Sequence, residues 1–136
     1  MSVPPSLAAW AAADPAARDA LLAAAERAVA LQPAAEAAIQ HGRPGAAAPP
    51  GWAEDANRVL EAYRSLRAPL RSLDPAPVAG ELADLLDRHA ELVDGALHGR
   101  TVEGLGPMAG RLVGLRDLLR RMLAVAGRAV SDVPGV

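Results

Sequence analysis

Hydrophobic side chains recur at alternating steps of four and three residues along three successive segments of this chain. The first stripe runs from Trp52 to Leu73, the second from Val78 to Ala96, and the third from Met108 to Ala126. This spacing places the apolar residues on one face of an α-helix. Burying a leucine-sized side chain is worth roughly 1.5–3 kcal/mol, so the three faces are expected to pack together. The pattern predicts an antiparallel helical bundle.

A fourth long helix is predicted ahead of these three, from about Pro15 to Leu31. Its apolar surface is mostly alanine, which buries little area per residue. Pro33 is expected to end this helix or to allow only a turn or two beyond it. Leu7 and Trp10 come earlier in the chain, where a short helical arm is predicted. The predicted fold class is therefore all-α, an antiparallel four-helix bundle with a short N-terminal helical arm.

The predicted organisation has four parts. Residues 1–41 hold the arm and the first long helix, 42–51 form a linker rich in proline, glycine and alanine, 52–130 form the three-helix core of the same bundle, and 131–136 form a tail. We expect the part before the linker to fold back onto its own bundle, because short connections usually join neighbours. The alternative is that it docks on another protomer or on a partner.

Two details of the helices are predicted from proline and glycine. Pro69 interrupts the helix of residues 52–73, and a kink is expected because Leu70 and Leu73 keep the stripe in phase. Gly106, Gly110 and Gly114 are spaced by four at the start of the last helix. We expect this row to reflect the glycine-rich composition; the alternative is close approach of the alanine face of the first helix.

The composition favours helix and excludes several kinds of chemistry. Hydrophobic residues make up 51% of the chain but only Trp10, Trp52 and Tyr63 are aromatic, so most of the apolar content is alanine and leucine. All 14 basic residues are arginine, which is typical of a high-GC bacterial host. The chain has no cysteine, which excludes disulfides, thiolate metal sites and cysteine nucleophiles.

The sequence predicts neither a signal peptide nor a membrane span. The first residues lack a basic region, and no stretch approaches about 18 consecutive apolar residues. We therefore expect a cytoplasmic protein.

Charge is divided unevenly between the last two helices. Residues 74–98 carry six acids against one arginine, and residues 107–130 carry five arginines against one acid. We expect these helices to face each other with opposite charges. The alternative is that Arg116, Arg120 and Arg121 present a docking patch to an acidic partner. Nucleic acid is not expected, because the formal net charge is −2, lysine is absent and no aromatic residue interleaves with the arginines.

His89 occupies a stripe position where leucine or alanine would be expected. A histidine on an apolar face is usually a core residue whose nitrogens are satisfied by a backbone carbonyl or a neighbouring side chain, and we expect this here. The functional alternative is a ligand-binding or proton-transfer group in the bundle interior, with Tyr63 as its nearest polar companion from another stripe.

Catalytic, metal and cofactor sites are not predicted. A di-iron bundle needs Glu-x-x-His pairs, which are absent, and Asp94 with His98 supplies too few ligands for a metal. Residues 42–51 lack the lysine and hydroxyl of a phosphate loop. No catalytic residue, metal or cofactor is assigned.

By elimination, the sequence predicts a non-enzymatic helical interaction protein, such as an adaptor, a regulatory subunit or an assembly component. Its expected partner is another protein or a second copy of itself. The candidate contact residues are Leu7, Trp10, Arg116, Arg120 and Arg121. The alternative is a small-ligand-binding protein or minor enzyme that uses His89 and Tyr63.

Overall fold

The computed structural model describes residues 15–72 and 76–131. This part of the chain contains four α-helices and no strand, which confirms the predicted all-α bundle. The helices are α1 (Pro15–His41), α2 (Trp52–Arg67), α3 (Ala76–Leu97) and α4 (Gly106–Ser131), with a 3₁₀ segment over Ala68–Ser72. Within the described residues, none of the helices combines the length and apolar character that crossing a bilayer requires.

Helices α1 and α3 each pack against all three of the other helices, whereas α2 and α4 make little or no contact with each other. The C-terminal part of α1 lies beside the start of α4: Glu36 Oε2 accepts a hydrogen bond at 2.9 Å from the N–H of Leu105, the residue before α4. Nearer the middle of both helices, Glu26 accepts from Arg120 at 2.9 Å. Helices α1 and α4 are therefore antiparallel.

The core is built from the predicted stripes. Tyr63 of α2, His89 of α3 and Met122 of α4 are fully buried. They are joined by leucines from the same helix faces: Leu82, Leu85, Leu86, Leu112, Leu115 and Leu119. Helix α1 contributes mainly alanines, which is why the other helices can lie close to it: Ala17, Ala24, Ala25, Ala28, Ala35 and Ala38.

Pro33 does not end the first helix. The prediction of an end near Leu31 was wrong, because α1 continues to His41 with Pro33 exposed on its outer side. Proline removes one helical hydrogen bond. Beyond it, however, Ala35 and Ile39 are fully buried in the core. Tertiary packing of these residues keeps the helix intact, as most helical stability in proteins comes from packing.

Pro69 changes the type of helix. A kinked helix over residues 52–73 was predicted, but α2 ends at Arg67 and the chain continues as a 3₁₀ segment. The proline ring and its missing N–H disfavour the α-helical hydrogen-bond pattern, and a tighter turn replaces it. Leu70 is still buried, so the apolar face is maintained through this change.

The glycine row of α4 faces solvent. Gly106, Gly110 and Gly114 are exposed, and a Cβ atom added at any of them would have no neighbouring atom within 4 Å. The alternative that the alanine face of the first helix approaches this row is therefore wrong. A close approach exists instead at Gly42, where a Cβ would lie 2.7 Å from the carbonyl oxygen of Ala96.

Candidate functional site

The His89 and Tyr63 side chains meet in the interior between α3 and α2. Both residues are 0% exposed, and their ring centroids are 5.4 Å apart with an interplanar angle of 59°. Their predicted proximity is confirmed. The two rings meet because α2 and α3 each direct an apolar face into the core. Each face carries one polar ring, and the two rings lie at the same level along the bundle.

Neither ring has a hydrogen-bond partner within the part of the chain that the structure describes. Both nitrogens of His89 and the hydroxyl of Tyr63 are buried and unpaired. The expectation that His89 is satisfied by a carbonyl or a side chain was therefore wrong. Leaving such a group unpaired typically costs about 1–3 kcal/mol, so these polar atoms oppose the stability of the bundle.

Burial favours the uncharged forms of both residues. It lowers the pKa of His89 below its ordinary value of 6.5 and raises the pKa of Tyr63 above its ordinary value. At neutral pH the interior therefore holds a neutral imidazole beside a protonated phenol. Such a pair can exchange hydrogen bonds with a small polar molecule, but it carries no charge that would attract an ion.

Three grooves on the described surface are lined by other residues. The largest, about 1060 Å³, lies between α3 and α4 and includes Glu81, Asp84 and Arg111. A groove of about 350 Å³ lies between α2 and α3. Another of about 350 Å³ lies between the end of α1 and the start of α2. His89 and Tyr63 line none of these three.

The arginines of α4 are largely engaged within the chain. Arg116 is partly buried and pairs with Asp117 at 3.1 Å, and Arg120 pairs with Glu26 of α1 at 2.8 Å. Arg121 is exposed. The three side chains thus lie on one helix, but two of them already have carboxylate partners.

The acidic helix does not pair extensively with the arginine-rich one. Between α3 and α4, one ion pair occurs in the described residues, from Arg111 to Glu81 at 3.7 Å. Asp87 of α3 pairs instead with Arg67 of α2 at 2.7 Å. The expectation of two facing, oppositely charged helices therefore holds for this one pair only, because α4 directs Arg120 towards α1, its main neighbour.

No metal site was predicted, and the described residues contain no group of three or more histidine, aspartate or glutamate side chains arranged to hold an ion. Asp94 and His98 do approach each other, at 3.4 Å, but Arg100 also binds Asp94 at 3.1 Å. This arrangement is an exposed helix end where Asp94 pairs with Arg100 and lies close to His98.

The outer face of α1 carries a second apolar stripe that the sequence analysis did not identify. Its members are spaced by four and three, and all of them are exposed: Ala16, Ala20, Ala23, Arg27, Ala30, Ala34 and Ala37. We call this set the alanine stripe. The four-three spacing of this stripe is visible in the sequence, but the buried alanines on the inner face of α1 have the same spacing. Spacing alone cannot tell the two faces apart.

The groove between α1 and α2 adjoins the C-terminal end of the alanine stripe. It is lined mainly by apolar side chains, among them Ala34, Ala37, Pro49 and the partly buried Trp52. An exposed ion pair between Asp55 and Arg58, 3.2 Å apart, borders it. We call this the Trp52 groove. Its polar lining residues are His41, Asp55 and Arg58, and the rest of its lining is apolar.

Leu7 and Trp10, the other predicted contact residues, lie outside the described residues.

Comparison with known proteins gives no assignment: no family model matches the chain, and no curated protein or solved structure is significantly similar to it.

Proposed function

We propose that this protein is a non-enzymatic helical interaction protein that associates through the outer face of α1, within the cytoplasm. The observation that carries the proposal is the alanine stripe, which is exposed over about six helical turns. Its four-three spacing is that of a seam along which two helices pair. A face of this kind is expected where another helix covers it.

The contrast with α2 supports this role. The outer face of α2 carries charged residues, as a solvated helix face usually does: Glu54, Asp55, Arg58, Glu61 and Arg64. The exposed side of α1 carries fewer charges along a longer helix, with Arg27 in the stripe and Asp19 and Glu26 beside it. Methyl groups allow a second helix backbone to come close, although each buried methyl contributes less than one kcal/mol. The alanine stripe would therefore determine how closely two helices approach, and it would contribute little to the free energy of association.

A second copy of the chain is the partner that fits this seam best. The stripe has nearly the same spacing when it is read in reverse, so two antiparallel α1 helices bring alanine against alanine. Arg27 lies near its midpoint, where it would face Glu26 of the other copy, a carboxylate that would then be shared with Arg120 of its own chain. Arg27 forms no ion pair within the described part of one copy. Antiparallel helix dipoles also attract.

An acidic partner that docks on Arg116, Arg120 and Arg121 is a weaker version of the same proposal. Arg116 and Arg120 would have to leave Asp117 and Glu26, and exposed pairs of this kind contribute little affinity.

The test compares two charge-matched double variants by size-exclusion chromatography with light scattering. Ala23→Glu with Ala30→Glu places two carboxylates in the stripe, and Asn57→Glu with Ala124→Glu places two at exposed positions on α2 and α4. The first variant is expected to be monomeric, and the second to form dimers as the unmodified protein does. Equal dimerisation of both variants would contradict a role for the stripe.

A second candidate function is binding of a small ligand in the interior, or a minor enzymatic activity there. It is supported by the unpaired atoms of His89 and Tyr63. The test is titration with phenol, a small probe with one hydroxyl, while the imidazole nitrogen signals of His89 are followed by NMR. A saturable shift would support the interior site, and unchanged signals would exclude phenol-like ligands from it.

A further inference from the structure

We draw no further inference here: the strongest candidate, the groove of about 1060 Å³ between α3 and α4 whose lining includes Asp84, Asp87 and Glu91, is a cluster of acidic side chains, and nothing in the described residues shows which ligand or partner would cover it.

Discussion

His89 and Tyr63 form a tilted ring pair 5.4 Å apart, sealed in the interior with none of their polar atoms hydrogen-bonded in the described structure. The pair couples the stability of the bundle to pH in both directions. Protonation of the imidazole and deprotonation of the phenol would each create a charge in an apolar interior, and buried unpaired charges are strongly unfavourable.

Acid is expected to destabilise the bundle through His89. Its pKa is lowered by burial, so the unfolded chain binds the proton more readily than the folded chain. Stability is therefore full above the ordinary pKa of 6.5 and falls as the pH drops towards the folded pKa, by up to about 1.4 kcal/mol per pH unit. Urea unfolding between pH 7 and pH 5 measures this loss.

The control for the acid effect is the exposed His98 at the end of α3. His98→Gln should retain the loss of stability, whereas His89→Leu should abolish it over the same range. An imidazole of His89 that titrates near 6.5 by NMR, in protein that stays folded, would refute this origin.

Alkali is expected to unfold the protein through Tyr63. Burial raises the pKa of this phenol, so above about pH 10 the unfolded chain loses the proton first and stability falls as the pH rises. The chain has one tyrosine, no lysine and no cysteine, so in the alkaline range no other side chain is expected to lose a proton below the pKa of arginine. The ultraviolet absorbance of the phenolate should appear together with loss of helical circular dichroism.

Tyr63→Phe provides the control for the alkaline transition, because it keeps the ring and removes the acidic proton. This variant should stay helical where the unmodified protein unfolds. Phenolate formation near pH 10 with unchanged helical content would show that Tyr63 is open to solvent.

At neutral pH, His89→Leu is expected to stabilise the bundle by about 1 kcal/mol. The substitution removes two unpaired nitrogens and supplies an apolar side chain of similar size. Chemical denaturation compares the free energies of unfolding. Loss of stability of similar size would mean that the imidazole makes a favourable contact, for example through an ordered water.

Two glycine substitutions should have opposite effects. Gly42→Ala is expected to destabilise the protein by about 1–3 kcal/mol, because its Cβ would lie 2.7 Å from the carbonyl oxygen of Ala96. Gly110→Ala has open space around the new methyl and should stabilise α4 by roughly 0.5–1 kcal/mol. Thermal unfolding followed by circular dichroism measures both, and equal effects would argue against the close approach at Gly42.

The helices of the core were predictable because leucine and charged residues alternate at helical spacing in α2, α3 and α4. Leu82, Leu112 and Leu119 are buried as that pattern requires. The effect of Pro33 was misjudged because the loss of one helical hydrogen bond is outweighed by the burial of Ile39. That burial depends on core residues of other helices, which are distant in the sequence.

The candidate surfaces were harder to predict. Alanine has one methyl group and occupies both faces of α1, so the sequence does not show which face is outside. The stripes that contain His89 and Tyr63 predicted that the two rings lie close together. Whether their polar atoms form hydrogen bonds depends on the exact positions of neighbouring atoms, which helical spacing does not give. The Trp52 groove combines the end of one helix with the start of the next, across a linker without periodicity.

The central claim is that the alanine stripe of α1 is a contact surface between two copies, and sedimentation equilibrium of the unmodified protein tests it most directly. We expect a reversible monomer–dimer equilibrium in which the dimer is the largest species and its fraction rises with protein concentration. A single species with the mass of one chain at every concentration would contradict the account.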